Sequence, residues 1–163
     1  MSRVVDIDQR KGSAEARNRR TANQLLNAAM TYARLVLRRY GEIGPFGFFM
    51  DREGEVMRAT LEIPRLPHDP QRLWKLLLDH LAGRARRGLI RAAAMGANVS
   101  LTEPSPEGYV DAIDMTIEEE SGYAIQVTIP YRIYGGQLRN LLPRRIALGQ
   151  MKVEDTVGRI FTV

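Results

Sequence analysis

The chain reads as an α+β domain. The expected architecture is an antiparallel sheet of about five or more strands with two main helices, in the order α-β-β-α-β-β-β plus a C-terminal extension. Three observations predict it. Residues 22–40 and 73–85 each repeat apolar side chains at helical spacing. Residues 107–134 alternate apolar and polar side chains with the period of a strand. Turns bearing glycine or proline separate these segments.

Residues 1–12 show no sustained periodicity and read as a mobile, basic tail ahead of a single domain over residues 13–163. Ser13 is the expected N-cap of the first helix. Ala22, Leu25, Leu26, Ala29, Ala33, Val36, Leu37 and Tyr40 then form one apolar stripe, and Gly41 stops it. The run GPFGFFM, the turn Asp51-Arg52-Glu53-Gly54 and the run EVMRATLEI read as a hairpin, with Asp and Gly where a type I turn favours them. Asp69 followed by Pro70 is a cap and a first-turn proline, so a second helix starts there. Leu73, Trp74, Leu77, Leu81 and Ala85 share one face of it, and it ends near Arg87-Gly88.

The alanine-rich segment 90–101 suits either a helix or a strand. Ala93, Met95, Ala97, Val99 and Leu101 alternate, and with Leu101 opposite Tyr109 the segment reads as a third strand. That register sets Val99 opposite Asp111 and Ala97 opposite Ile113. The next hairpin is fixed by its own faces. A three-residue loop Glu120-Ser121-Gly122 sets Ile117 opposite Ile125 and Met115 opposite Val127, and puts Gly122 where a left-handed residue is required. After Gly135-Gly136, the run LRNLLP suggests a helical turn, and parts of 146–153 and 159–162 suggest further strands. The helices are expected to cover one face of the sheet.

This element order over residues 13–134 resembles that of roadblock/profilin-like domains, and the resemblance implies pairing through a helix or a sheet edge. The PFG-F-MD-xx-G hairpin, the alanine-rich third strand and the closing Gly158-Arg159-Ile160-Phe161 also resemble a small group of bacterial proteins of unassigned function. Neither resemblance brings a catalytic residue.

Composition removes several function classes. The 44% hydrophobic and 26% charged fractions are those of a globular domain. There is no cysteine, so disulfides, thiolate metal sites and cysteine nucleophiles are excluded. No signal-like apolar run opens the chain and no segment has transmembrane length, so a cytoplasmic location and no membrane contact are expected. The net charge of +5 is unevenly spread: the first forty residues are rich in arginine, whereas the 107–134 hairpin carries Asp111, Asp114, Glu118, Glu119 and Glu120. Such separation can steer an acidic partner or serve self-association.

The candidate chemistry is sparse. His68 and His80 are the only histidines and have no metal-ligand spacing around them. Neither GxGxxG nor GxxxxGK[ST] occurs, and no serine sits in a nucleophile elbow. Glu118-Glu119-Glu120 reads as a solvated hairpin tip, and Asp51–Glu55 as a plain turn rather than a calcium loop. Asp111 shares parity with the apolar face, so it needs a partner or an open rim. Asp111, Tyr131 and Phe48 are the expected pocket residues. Arg17, Arg19 and Arg20 are the expected contacts if the chain binds nucleic acid, with further arginines at 84–91 and 144–145.

Three readings follow. The first is a non-enzymatic self-associating module, expected as a homodimer, with no cofactor, metal or catalytic set, and with a protein partner as a further option. The second is a nucleic-acid-associated protein using its arginine-rich N-terminal segment. The third is a small-ligand binder or enzyme with a pocket at Asp111.

Overall fold

The structure, a computed structural model, describes the backbone over residues 2–136 and 141–162, with side chains from residue 12 onward. Helix α1 spans Ser2–Tyr40 and helix α2 spans Pro70–Arg86. The strands are β1 (Phe46–Asp51), β2 (Val56–Arg58), β3 (Ile90–Ser100), β4 (Asp111–Glu119), β5 (Ala124–Tyr134), β6 (Arg145–Leu148) and β7 (Lys152–Asp155). They form one antiparallel sheet in the order β2-β1-β3-β4-β5-β6, and β7 pairs β5 alongside β6. The α+β class and the α-β-β-α-β-β-β order match the sequence reading.

Helix α1 starts at Ser2 rather than at the Ser13 cap. Nothing between residues 2 and 13 breaks a helix except Gly12, whose cost of about 1 kcal/mol a long helix tolerates. Leu25, Ala29, Ala33 and Leu37 are buried one turn apart, and Gly41, at φ +77°, donates its N–H to Leu37 O at 2.8 Å. Helix α2 starts as expected: Asp69 Oδ1 accepts from Gln71 N at 3.1 Å, ahead of Pro70.

The helices lie on opposite faces of the sheet, not on one. Leu25, Ala29, Ala33 and Leu37 pack with Phe46, Phe48, Met50, Ala92, Ala94, Ile113, Met115, Ile117, Ile125 and Val127. Leu77 and Leu81 pack with Phe49, Ile90, Ala93 and Met95 on the other side. Strands β1 and β3 are therefore buried on both faces, which is why they are continuous apolar runs rather than alternating ones.

Double burial also explains a register correction. Ser100, not Val99, lies opposite Asp111, and Asn98, not Ala97, lies opposite Ile113. A one-residue slip exchanges faces, so Ala93 and Met95 join the α2 core. In an Ala-Ala-Ala-Met run the alternation carries no register information, and the 101–110 connection is not symmetric. Its inner turn closes at Ser105, whose O accepts from Gly108 N at 2.8 Å. Gly96 faces Phe46 across the ladder, and a Cβ there would overlap the Phe46 ring. A glycine in mid-strand thus makes room for an aromatic that packs against Tyr32 and Phe48.

The β4–β5 hairpin keeps the expected register. Ile117 opposes Ile125 and Met115 opposes Val127. Gly122 stands at φ +96° and Glu119 N donates to Tyr123 O at 2.8 Å, closing the three-residue loop. Beyond β5, the helical turn read from LRNLLP falls largely outside the described residues. Residues 159–162 form no strand; Ile160 instead plugs the α2 core.

Candidate functional site

Two features stand out among the described residues: a cleft at the C-terminal end of α1, and the outer edge of β6 and β7. The cleft has a volume of about 480 Å³ and lies between Gly41–Ile43, the β4 entry at Tyr109–Asp111, and Tyr131–Ile133 of β5. Asp111 opposes Tyr131 directly in the ladder, which brings two of the three expected pocket residues together. Phe48 is not among them. It is buried in the α1 core, with its ring 5.7 Å from that of Tyr32, because its β1 position is two strands away from β4.

Within the cleft, the buried Tyr131 hydroxyl donates to Asn98 Oδ1. Burial, with the Asp111 carboxylate nearby, pushes the Tyr131 hydroxyl up to about 12, so it stays protonated. Asn98 was invisible in the sequence reading because the β3 register was displaced by one. The Asp111 carboxylate is half-buried and takes neither a hydrogen bond nor an ion pair from the described residues. Below the rim, Glu107 accepts from Ser105 Oγ at 2.8 Å and Gln150 N at 2.9 Å; these bonds hold its carboxyl below the usual range.

The other carboxylates of the hairpin are not the solvated tip that their run suggests. Glu118 and Glu119 are buried on opposite faces, and only Glu120 is exposed, 2.6 Å from Arg52 Nη1. Glu118 Oε1 accepts the N–H groups of Arg159 and Ile160, both at 2.8 Å, tying the C-terminal segment to the sheet. Glu119 Oε2 has no hydrogen-bond partner, and burial raises its pKa against the opposing pull of Arg17 and Arg91.

Arg17, Arg19 and Arg20 are exposed on α1; Arg17 and Arg20, three residues apart, share one side of the helix, and Arg19 is turned away from Arg17. Arg17 acts on Glu119 and Arg19 on Tyr123, both at the end of the chain's own hairpin. Arg19 also lies 4.0 Å from Glu15. His80 accepts from Arg84 Nε at 3.1 Å, and burial and Arg84 lower its pKa, so it sits neutral in the α2 layer. His68 is exposed in the loop before α2. Among the described residues no three His, Asp or Glu side chains cluster to hold a metal, and no helix is long and apolar enough to cross a membrane.

The edge is the second feature. Strands β6 and β7 share one side of β5, joined where Gly149 N donates to Pro130 O at 2.7 Å. Thr156 N bonds Ala124 O, so by antiparallel alternation Lys152 and Glu154 direct their backbone groups to β5 while Val153 and Asp155 direct theirs outward. All four β7 residues are exposed; Val153 is 51% exposed, and Leu148 and Met151 beside it are exposed as well. Lys152 Nζ lies 3.0 Å from Glu154 Oε1 on one face of the strand.

No protein-family model, curated protein or solved structure matches this chain.

Proposed function

We propose that this protein is a non-enzymatic module that self-associates, two copies pairing antiparallel through β7 about a two-fold axis at Val153. The observation that carries this reading is the order Lys152-Val153-Glu154 on an outward-facing edge. Read antiparallel against itself, it sets Val153 opposite the partner's Val153. It also sets Lys152 opposite the partner's Glu154, and Glu154 opposite the partner's Lys152. Val153 is the residue whose N–H and C=O point outward, so the central pair can exchange both backbone hydrogen bonds. Opposite charges directly across a ladder contribute roughly 0.2–1 kcal/mol per pair. A two-fold axis uses each pair twice.

An open edge with exposed apolar side chains is otherwise an aggregation hazard, and pairing with a second copy removes it. The element-order resemblance to roadblock/profilin-like domains carries an expectation of pairing through a helix or a sheet edge, and the β7 edge is one such surface.

Light scattering on the eluting peak of a gel-filtration column tests it. The expected result is twice the monomer mass for the unmodified chain and the monomer mass for Val153→Pro, which removes the outward N–H. A monomer at high protein concentration, or a Val153→Pro variant that stays dimeric, overturns it.

A further inference from the structure

We infer that the cleft at the end of α1 is a binding site for a small organic cation, an ammonium or guanidinium group on a short alkyl stem, with Asp111 as its counter-ion. The inference is independent of the β7 pairing.

Of the other acids in β4 and its turn, Glu119 is buried with Oε2 unpartnered and lines no cleft, whereas the remaining three have partners. Asp114 receives Gln126 Nε2 on both oxygens, at 2.9 and 3.0 Å. Glu118 receives two backbone N–H groups and Glu120 receives Arg52. Asp111 receives none among the described residues, although it is half-buried and lines a cavity of about 480 Å³. That volume is in the range of small-molecule sites. A ligand cation would give the Asp111 carboxylate a charge-assisted hydrogen bond.

Several of the surrounding groups are acceptors or carry negative charge. The Tyr131 proton is committed to Asn98 Oδ1, so the phenol oxygen is left as an acceptor. Glu42 adds a second carboxylate at the wall. The wall at Gly41–Ile43 follows directly on the C-terminal end of α1, where the helix dipole is negative. The cation nearest this wall, Arg144, donates to the Arg38 and Arg39 carbonyls at 3.3 and 2.9 Å. Arg132 also lines the cleft, with its guanidinium over the Tyr134 ring at 5.2 Å. Ile43 and Ile133 supply apolar surface for an alkyl stem.

Titration of the whole protein with n-butylammonium and n-butylguanidinium, followed by backbone amide chemical shifts, tests the site. Shifts at Asn98, Asp111 and Tyr131 that saturate with a Kd of about millimolar are expected, as suits a fragment of this size. Butyrate and n-butanol are expected to leave those amides unmoved. In Asp111→Asn the cation affinity should fall by about tenfold or more, with the dimer mass unchanged. Equal binding of butyrate and butylammonium, cation shifts elsewhere on the surface, or undiminished binding by Asp111→Asn overturns the inference. The comparison of the two charges on the unmodified protein decides the point even where the substitution perturbs folding.

Discussion

The two edges of this sheet are built on opposite plans. At one end, β2 is three residues long, and its Arg58 guanidinium stacks over Tyr32 at 5.0 Å while donating to the Tyr32 hydroxyl at 3.1 Å. It is short, charged and tied to the helix layer, the usual means of keeping an edge from recruiting another strand. At the other end, β6 and β7 together line β5 over most of its length and expose Leu148, Met151 and Val153. Nothing among the described residues covers their outer side. The contrast is what the proposed pairing rests on: the β2 edge is closed by its own side chains, and the β7 edge is left open among the described residues.

Substitutions at the two edges should therefore separate assembly from stability. Val153→Pro has the largest expected effect, weakening the dimer by roughly 2–3 kcal/mol, about 100-fold in Kd, because two hydrogen bonds are lost at the axis. Sedimentation velocity reads this directly, and a thermal melt of the diluted variant should match that of the diluted parent. At the closed edge the pattern reverses. Arg58→Ala should lower stability by about 0.5–1 kcal/mol through loss of its aromatic contact, read in urea melts, while leaving the mass dimeric. Met57→Lys, on the exposed side of the same short strand, should change neither by more than about 0.5 kcal/mol. A Met57 variant that dissociates the protein would erase the distinction between the edges.

A smaller effect belongs to neither edge. Glu119 is buried with its pKa raised, so the folded state binds its proton more tightly than the unfolded chain does. Its contribution favours folding at acid pH and is lost as pH rises from the ordinary glutamate value through the raised folded one. Glu119→Gln should remove that dependence and raise the melting temperature at neutral pH. A variant that melts lower at neutral pH would mean that Arg17 and Arg91 outweigh the burial.

How much of this was legible in the sequence follows from which surfaces are buried once and which twice. The β4–β5 hairpin carries its large apolar side chains on one face, so alternation and Gly122 together fix its register, and Asp111 opposite Tyr131 could be read directly. Strand β3 is buried twice, its alternation is uninformative, and the reading slipped by one residue. That slip hid Asn98 from the cleft. Phe48 was misplaced because residue parity gives the face of a sheet but not the order of its strands. Glu118 and Glu119 read as solvated because a local pattern cannot show that the segment 158–160 folds back over Glu118. The β7 edge has the weakest pattern of all, being exposed on every residue, yet its Lys-Val-Glu order was in the sequence throughout.

The most direct test of edge pairing uses that order. Lys152→Glu and Glu154→Lys are each made alone, purified and mixed. Each variant by itself places like charges across the axis and should run as a monomer. The equimolar mixture places opposite charges across it and should recover the dimer mass, as a heterodimer, in light scattering at low salt. Monomers alone and a dimer on mixing is the result this account predicts; two variants that both remain dimeric, or a mixture that stays monomeric, would contradict it.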